Sequence, residues 1–373
     1  MNAETMTEYN SLPEARFITR LNRFVAEVSL GGKHILVHVP NTGRLSELAI
    51  PGARVLLVPS PGKYPYKIRY MYYDGYPVMI DSTYSNRLFW ELLNKGNVPG
   101  LEGLKPVRRE PAVGNSRFDF LLRDRDGGDV FIELKSCTLA WNGVASFPDA
   151  VSARASAHVR HLRETGRGIL VLFLLHRDIR CFVPNYHTDY EFYRTLAENR
   201  DHIPVHALSA VYNEDLTISS LRPVPVVVPE ITPGGAYLLI LKNDREQHIT
   251  AGGLGTLCFR EGYYIYSGSG RTNVFTRIAY HRGTQQRKHW HIDYIKGHMK
   301  ITADIPFVTG DDIECSLAGN MAELGGEPVP CFGSSDCRCS SHLHYFRDPP
   351  ALRRDFWDFV LETRFGGYIK NPQ

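Results

Sequence analysis

This sequence of 373 residues has no long hydrophobic run and no secretory signal, and its number of cysteines is odd. The longest wholly apolar stretch, Ile169 to Leu175, is far shorter than the roughly 20 residues that span a bilayer. The N-terminal segment contains acidic residues and no apolar signal core, so no secretory signal is expected. Seven cysteines in a chain this long disfavour a disulfide scaffold. These absences predict a cytoplasmic protein with free thiols and no membrane partner.

Excess charge of one sign is also missing. The chain has 43 Lys and Arg residues against 40 Asp and Glu residues, a formal net charge of +3. This excess is too small to establish a polyanionic partner, because the distribution of charge matters more than its sum. The nucleotide loop G-x-x-x-x-G-K-[ST] and the nucleophile elbow G-x-S-x-G do not occur. The sequence therefore gives no support to a metabolic enzyme that uses either motif.

The chain is long enough for two or three domains, and its hydrophobic share of 43% is ordinary for globular protein. Turn residues, Pro-rich stretches and changes in hydrophobic periodicity divide it. The predicted segments are an N-terminal tail (1–15), a small barrel (16–81), a mixed α/β domain (82–222), a Pro-rich linker (223–234), a second α/β domain (235–348) and a C-terminal helical tail (349–373). The predicted fold class is therefore multidomain α/β (α+β). The oligomeric state is not predicted.

The first domain contains five short runs rich in Val, Ile, Tyr and Phe, separated by turns, which is typical of an OB-like barrel. Basic residues and tyrosines alternate along it. Cations for phosphates and rings for bases are the elements of a nucleic-acid groove, so Arg20, Arg23 and Arg44 are candidate DNA contacts. The alternative is a solvated barrel surface with tyrosines in its core.

The second domain begins with a predicted helix, Asn86 to Lys95, capped by Ser85 or Asn86. A hairpin follows, in which RFDFLL and DVFIELKS are joined by a polar turn. A helix over residues 149–164 and the buried strand GILVLFLL then complete a mixed sheet.

Three ionisable residues on that hairpin carry the main functional prediction. Glu133 and Lys135 are two apart on one strand and therefore share a face, while Asp119 lies across the hairpin. Two carboxylates placed in this way can bind Mg²⁺, which activates water and neutralises charge at a phosphodiester. A nearby lysine can stabilise the transition state. The alternative is a solvent-facing Glu–Lys salt bridge.

Several motifs resemble the sugar fermentation stimulation protein A (SfsA) family, namely NRFVAEV, HVPNTGRLSEL, PGARV, GNSRFDFLL, ELKSCTL and FPDA. The match runs from Arg16 to Tyr212. It implies an OB-like domain joined to a PD-(D/E)xK nuclease fold, with DNA binding and metal-dependent nuclease activity. On that pattern Asp119 and Glu133 correspond to metal-binding acids and Lys135 to the catalytic lysine. Glu91 looks like the accessory acid of the fold, with an exposed helix glutamate as the alternative.

The resemblance also points to DNA contacts in this domain. Arg117 lies within GNSRFDFLL, and Arg154 and His158 remain from a family pattern that usually reads T-x-R-G-x-K-H-L. The Gly and Lys of that pattern are Ala155 and Ala157 here. Because a lysine is lost, phosphate contact should be weaker.

Beyond the linker, two strand-like runs that each contain a tyrosine, followed by R-x-x-x-H on one helical face, resemble the GIY-YIG nuclease fold. The blocks KHWHIDYI and CFGSSDCRCSSHL make the resemblance closest to the small domain sometimes appended to archaeal endonuclease III proteins. Two strand-like runs carry Tyr237 and Tyr266, and a predicted helix carries Arg277 and His281 four apart on one face. The resemblance implies a tyrosine base, a phosphate-binding arginine and a metal-binding glutamate, for which Glu314 is the candidate. A helix-capping glutamate is the alternative for Glu314.

Four residues near the end of this domain could bind Zn²⁺: Cys331, Cys337, Cys339 and His342. Their spacing is not a usual zinc pattern, so buried free thiols are the alternative. The leading hypothesis for the whole chain is a nuclease that uses Mg²⁺ or Mn²⁺ on DNA, with RNA left open. The runner-up is a non-catalytic DNA-binding regulatory protein.

Overall fold

The structure is a computed structural model that describes residues 12–114, 116–283 and 288–370. It contains two compact units. One unit runs to Pro229 and includes the chain from Phe365 onward, and the other comprises Glu230–Arg364. The division at residue 229 lies inside the predicted Pro-rich linker. Most of the predicted N-terminal tail lies outside the described residues, but the first strand already begins at Glu14. No helix in the described ranges has the length and apolar character needed to cross a membrane.

The first sheet closes into a barrel. Its strands are β1 (Glu14–Asn22), β2 (Val25–Leu30), β3 (Lys33–His38), β4 (Arg54–Pro59), β5 (Tyr66–Tyr73) and β6 (Tyr76–Met79). The order is β3-β2-β1-β4-β5-β6, and β3 also pairs with β5 in parallel at His38 and Lys67. Strands β1 to β5 therefore form a closed barrel around Val28, Val55 and Ile68, which are fully buried. The predicted OB-like barrel is confirmed.

The second domain is a mixed sheet covered by helices. Its elements are α1 (Ser82–Asn94), β7 (Lys105–Arg109), β8 (Ala112–Val113), β9 (Ser116–Arg117), β10 (Phe120–Arg123), β11 (Asp129–Cys137), β12 (Leu139–Trp141), β13 (Val144–Phe147), α2 (Ala153–Glu164), β14 (Gly168–Leu174), β15 (Cys181–Pro184), α3 (Tyr190–Asn199), β16 (Val205–Tyr212) and β17 (Ile218–Val224). The main sheet has the order β17-β16-β14-β11-β10-β7, with β14 parallel to both β11 and β16. Every residue of β14 is buried, as its continuous apolar run predicts for a central parallel strand.

Neither predicted helix of this domain begins where the sequence suggests: the first begins earlier and the second begins later. A capping side chain determines each start. Helix α1 begins at Ser82 rather than Asn86, since Asp81 accepts a hydrogen bond from the Tyr84 N–H at 3.0 Å. Helix α2 begins at Ala153, where Ser152 accepts from the Ala155 N–H at 3.2 Å.

The second unit is an antiparallel sheet with helices packed on it. Its elements are β18 (Gly235–Asn243), β19 (Gln247–Thr250), β20 (Thr256–Phe259), β21 (Gly262–Gly270), α4 (Val274–Arg282), α5 (Ile292–Ile295), β22 (Lys300–Val308), α6 (Glu314–Glu323), β23 (Glu327–Pro328), β24 (Leu343–Phe346) and the part of α7 (Arg354–Lys370) that ends at Arg364. The sheet order is β22-β18-β21-β24-β23. Within the predicted helical tail, Phe356 and Val360 pack into the core of this unit, whereas Leu352 precedes α7 and is exposed.

Candidate active site

Three predicted side chains meet at the start of the β10–β11 hairpin. Asp119 lies directly before β10, where its N–H bonds to the Ile132 carbonyl at 3.1 Å. Its Oδ2 accepts from the Leu134 N–H at 2.8 Å. On β11, Lys135 Nζ lies 2.5 Å from Glu133 Oε1, since residues two apart share a strand face. All three side chains line one cleft of about 640 Å³.

The two carboxyl groups differ in their affinity for a proton. Burial, together with repulsion from Glu133, raises the pKa of Asp119 to about 6. Burial also opposes ionisation of Glu133, but Lys135 and His158 hold the pKa of that carboxyl below its usual range. Glu133 Oε2 is buried and has no hydrogen-bond partner. The site thus contains an uncompensated carboxylate oxygen beside a second acid that ionises reluctantly.

Helix α1 supplies an amide, not an acid, to this site. Asn86 Nδ2 donates to Asp119 Oδ1 at 2.8 Å. The predicted accessory acid, Glu91, instead faces Arg87 at 3.6 Å, is about half exposed and does not line the cleft. That expectation is therefore corrected to Asn86. The available signal was the polar face of α1, where Ser82, Ser85 and Asn86 recur at helical spacing.

His158 lies inside the site and not on a phosphate-facing surface. Its Nδ1 is hydrogen-bonded to Glu133 Oε1, and Arg154 Nε donates to its Nε2 at 3.3 Å. Because Nε2 accepts, Nδ1 carries the proton and donates to Glu133. The side chain is 9% exposed, so the expected DNA contact at His158 is corrected to a role in holding Glu133. Arg154 lines the cleft, as a phosphate contact would require.

Arg20 holds the barrel loop between β3 and β4, whose residues 41–43 line the cleft. Its guanidinium donates to four backbone carbonyls, those of Arg23, Asn41, Gly43 and Arg44. This set of bonds gives Arg20 a structural role in the barrel, and its DNA contact stays a prediction. The same loop meets the second domain closely, because a β-carbon at Gly43 would lie 2.2 Å from Asp149 Oδ2.

The other predicted arginines remain at the surface. Arg23 is exposed and lines the cleft, and Arg44, which follows the cleft residue Gly43 in the chain, is also exposed. Arg117 lies 3.3 Å from Glu110 in an exposed ion pair. In the barrel, Tyr70, Tyr72 and Tyr73 are buried. Tyr73 packs in the barrel core, whereas Tyr70 and Tyr72 pack with residues of α1 and the second-domain sheet, so these three rings are packing residues.

In the second unit, the predicted tyrosines, arginine and histidine form one cluster. The Tyr237 hydroxyl donates to His281 Nε2 at 2.7 Å, and the Tyr266 ring packs near both. Arg277 lies over the ring of Trp290 at 4.2 Å. Burial raises the pKa of both tyrosines and lowers the pKa of His281 to about 4. The two hydroxyls are therefore protonated, and His281 is neutral, at neutral pH.

The predicted zinc residues are rearranged by the fold. Cys337, Cys339 and His342 do come together, but the fourth member is Cys315, not Cys331. Glu314, the predicted metal-binding glutamate of this unit, accepts a hydrogen bond from His342 Nδ1 at 3.1 Å.

Family models match three consecutive parts of the chain. Residues 18–80 match the SfsA N-terminal OB domain, and residues 83–215 match the sugar fermentation stimulation protein RE domain. Residues 236–364 match a domain of unknown function, DUF123. The C-terminal match covers the unit that the sequence identifies as GIY-YIG-like.

Curated relatives match the first two domains over most of their own length. A sugar fermentation stimulation protein homolog of Desulforamulus reducens is 38% identical over 57% of this chain and 89% of its own length. The homolog of Clostridium tetani is 35% identical over 58% of this chain and 98% of its own. The solved structure of Pyrococcus furiosus SfsA in complex with Ca²⁺ aligns with a TM-score of 0.56 at 28% identity, covering 60% of this chain and 99% of that one.

Proposed function

The chain belongs to the sugar fermentation stimulation protein (SfsA) family, and from that premise we propose that residues 82–222 hydrolyse DNA phosphodiester bonds with a divalent metal ion. The observation that carries the proposal is the convergence of Asp119, Glu133 and Lys135 on one cleft. Two oxygen donors and an ammonium group together match the needs of metal-assisted phosphodiester hydrolysis.

The residues suit a hard cation such as Mg²⁺ or Mn²⁺, which prefers oxygen ligands. Asp119 and Glu133 would hold it. Glu133 Oε2 is buried without a partner, and the pKa of Asp119 is raised by burial and by Glu133, so a cation would compensate both carboxylates. When bound, such an ion polarises the phosphodiester and activates water. The SfsA of P. furiosus was solved with Ca²⁺, another cation that prefers oxygen.

The remaining side chains position and complement the acids. Lys135 is only 13% exposed and lies against Glu133, so its ammonium group is fixed where negative charge develops on the phosphate. His158 donates from Nδ1 to Glu133 and receives a bond from Arg154. This chain of contacts holds the Glu133 carboxylate in one orientation.

DNA would enter along the side of the cleft that the barrel borders. The β1–β2 turn presents Arg23 next to Phe24, which is 48% exposed, and Leu21 is 56% exposed nearby. A cation beside an exposed ring suits phosphate contact together with stacking of an unpaired base. Arg154 lines the same cleft from α2.

The second unit contributes DNA binding in this proposal. Its tyrosine cluster is buried and protonated. A surface cleft that His281 of this cluster also lines contains Arg282, Lys288 and Lys296, the last of which pairs with Asp293 at 3.1 Å. Basic side chains around a groove attract the phosphate backbone without reading sequence.

The test is a cleavage assay on the full chain with supercoiled plasmid and with single-stranded DNA and RNA. We expect products with Mg²⁺ or Mn²⁺ and none with EDTA. Glu133→Gln should lower the rate by at least about 10²-fold, because it removes a metal-binding oxygen and the charge that Lys135 and His158 face.

A matched control is Asp129→Asn. Asp129 lies on the same strand, but its carboxylate is exposed, pairs with Arg123 and is absent from the cleft lining, so cleavage should persist. Full activity in Glu133→Gln would contradict the proposal. Binding that weakens log-linearly with salt, without cleavage under any divalent metal, would favour the non-catalytic DNA-binding protein instead.

A further inference from the structure

We propose that the second unit binds a structural Zn²⁺ ion through Cys315, Cys337, Cys339 and His342. One ligand atom from each of these residues lies within 4.8 Å of all the others. The cluster lies in the GIY-YIG-like unit, and none of its members belongs to the acidic cleft. It is therefore a metal site separate from that of the proposed nuclease.

The spacing of the ligand atoms matches a tetrahedron. With Zn–S near 2.3 Å and Zn–N near 2.0 Å, a tetrahedral ion separates sulfur from nitrogen by about 3.5 Å. His342 Nε2 lies 3.4 Å from Cys337 Sγ and 3.8 Å from Cys315 Sγ. These separations would require little movement of the side chains on metal binding.

The backbone brings the ligands together from three places in the fold. Cys315 lies in the first turn of α6, Cys337 and Cys339 lie in the loop before β24, and His342 immediately precedes that strand. The loop is held by its own hydrogen bonds, from Cys331 N to Ser340 O at 2.8 Å and from His342 N to Phe332 O at 2.7 Å. The fold of the unit therefore brings the four side chains together.

A second observation concerns the imidazole of His342. Its Nδ1 lies 3.1 Å from Glu314 Oε1, so Nδ1–H donates to the carboxylate and Nε2 keeps its lone pair on the side of the thiols. The side chain is 3% exposed. Histidine ligands of zinc are commonly oriented in this way by a carboxylate. Glu314 thus acts as the outer partner of a zinc ligand.

The chemistry of the ligands selects the metal. Three thiols and one imidazole favour Zn²⁺ over Mg²⁺, which prefers oxygen. Four protein ligands complete the tetrahedron and leave no position for a reacting water, so the site is structural. The ion would join α6 to the start of β24, and β24 pairs with β21, the strand that carries Tyr266.

The experiment measures metal content in the full chain, purified in reducing buffer without added metal. Mass spectrometry of the metal should give one zinc ion per chain, and Cys315→Ser or Cys337→Ser should lose most of it. Cys331→Ser is the matched control, because Cys331 is an exposed thiol of the same segment that lies outside the cluster. That variant should keep its zinc.

A second measurement does not depend on how the variants fold. Replacement of the metal by Co²⁺ in the unsubstituted chain should give the intense visible bands of a tetrahedral thiolate site. A fully reduced chain that holds no zinc and shows no such bands would overturn the proposal. So would zinc loss in Cys331→Ser with retention in Cys315→Ser, or a disulfide between any two of the cluster cysteines in the isolated protein.

Discussion

At the scale of single residues, Arg20 and Arg23 show that two arginines close together in the sequence can have different roles. The guanidinium of Arg20 is occupied by four backbone carbonyls of the barrel. Arg23 is exposed and faces the cleft. Charge alone does not distinguish them, but the hydrogen bonds available to each side chain do.

The two arginines should separate stability from DNA binding. Arg20→Ala should cost about 1–3 kcal/mol of the free energy of unfolding, since it removes four hydrogen bonds to exposed or partly buried backbone carbonyls. Arg23→Ala should change stability by less than about 0.5 kcal/mol and reduce the salt slope of DNA binding by about 1. Urea unfolding and filter binding at several salt concentrations measure these effects, and the reverse pattern would contradict the assignment.

His281 should make the second unit sensitive to acid. Burial lowers its pKa from an ordinary 6.5 to about 4. Between these values the unfolded chain binds a proton that the folded chain does not, so stability falls as the pH is lowered from 6.5 towards 4, by up to about 3 kcal/mol. His344, whose pKa burial also lowers to about 4, should add a similar slope.

The variant His281→Gln isolates that contribution. Glutamine retains an acceptor for the Tyr237 hydroxyl but does not titrate. Urea unfolding at pH 7 and pH 4.5 should therefore show a smaller loss of stability for the variant than for the unsubstituted chain. Equal losses in both proteins would mean that His281 is already protonated when folded.

At the scale of elements, caps and helix faces determine which side chains reach the cleft. In the first two domains, hydrophobic periodicity and turns predicted five of the barrel strands, helices α1 and α2, the β10–β11 hairpin and β14, but not α3 or the short strands β12, β13 and β15. The starts of α1 and α2 were not predicted, because each depends on one capping hydrogen bond, accepted by Asp81 and by Ser152 respectively. The register of α1 then brings Asn86, and not Glu91, to Asp119. An acidic residue on the expected helix is therefore weaker evidence than a polar face aimed at the site.

Asp81 is the strongest such anchor. It is fully buried, caps α1 and lies 2.7 Å from Lys67 Nζ and 3.5 Å from Arg69 Nε. Asp81→Ala should cost about 3–5 kcal/mol of unfolding free energy, since it leaves two cations without their carboxylate. Ser152→Ala removes only a cap and should cost about 1 kcal/mol. If urea unfolding gave the same loss of unfolding free energy for Asp81→Ala and Ser152→Ala, the ion pairs of Asp81 would contribute nothing to stability.

At the scale of the whole molecule, three successive family models match the chain, and the described residues place the proposed acidic metal site in the second domain and the proposed zinc site in the third. The order of domains was predictable, because each has its own periodicity and the Pro-rich segment precedes the last. The shared face of Glu133 and Lys135 was predictable too, since residues two apart on a strand point to the same side. Cys315 was not, because α6 brings it to cysteines more than twenty residues further along the chain. Long-range partners of this kind follow from packing and leave no local pattern.

The central claim is that Asp119 and Glu133 hold a divalent ion in the cleft. Crystals of the chain soaked in Mn²⁺ and measured at the manganese edge test it directly. The account predicts an anomalous peak in contact with both carboxylates, and its loss in crystals of Glu133→Gln. Crystals of protein that cleaves DNA with Mn²⁺, yet shows no peak between these two side chains, would contradict it.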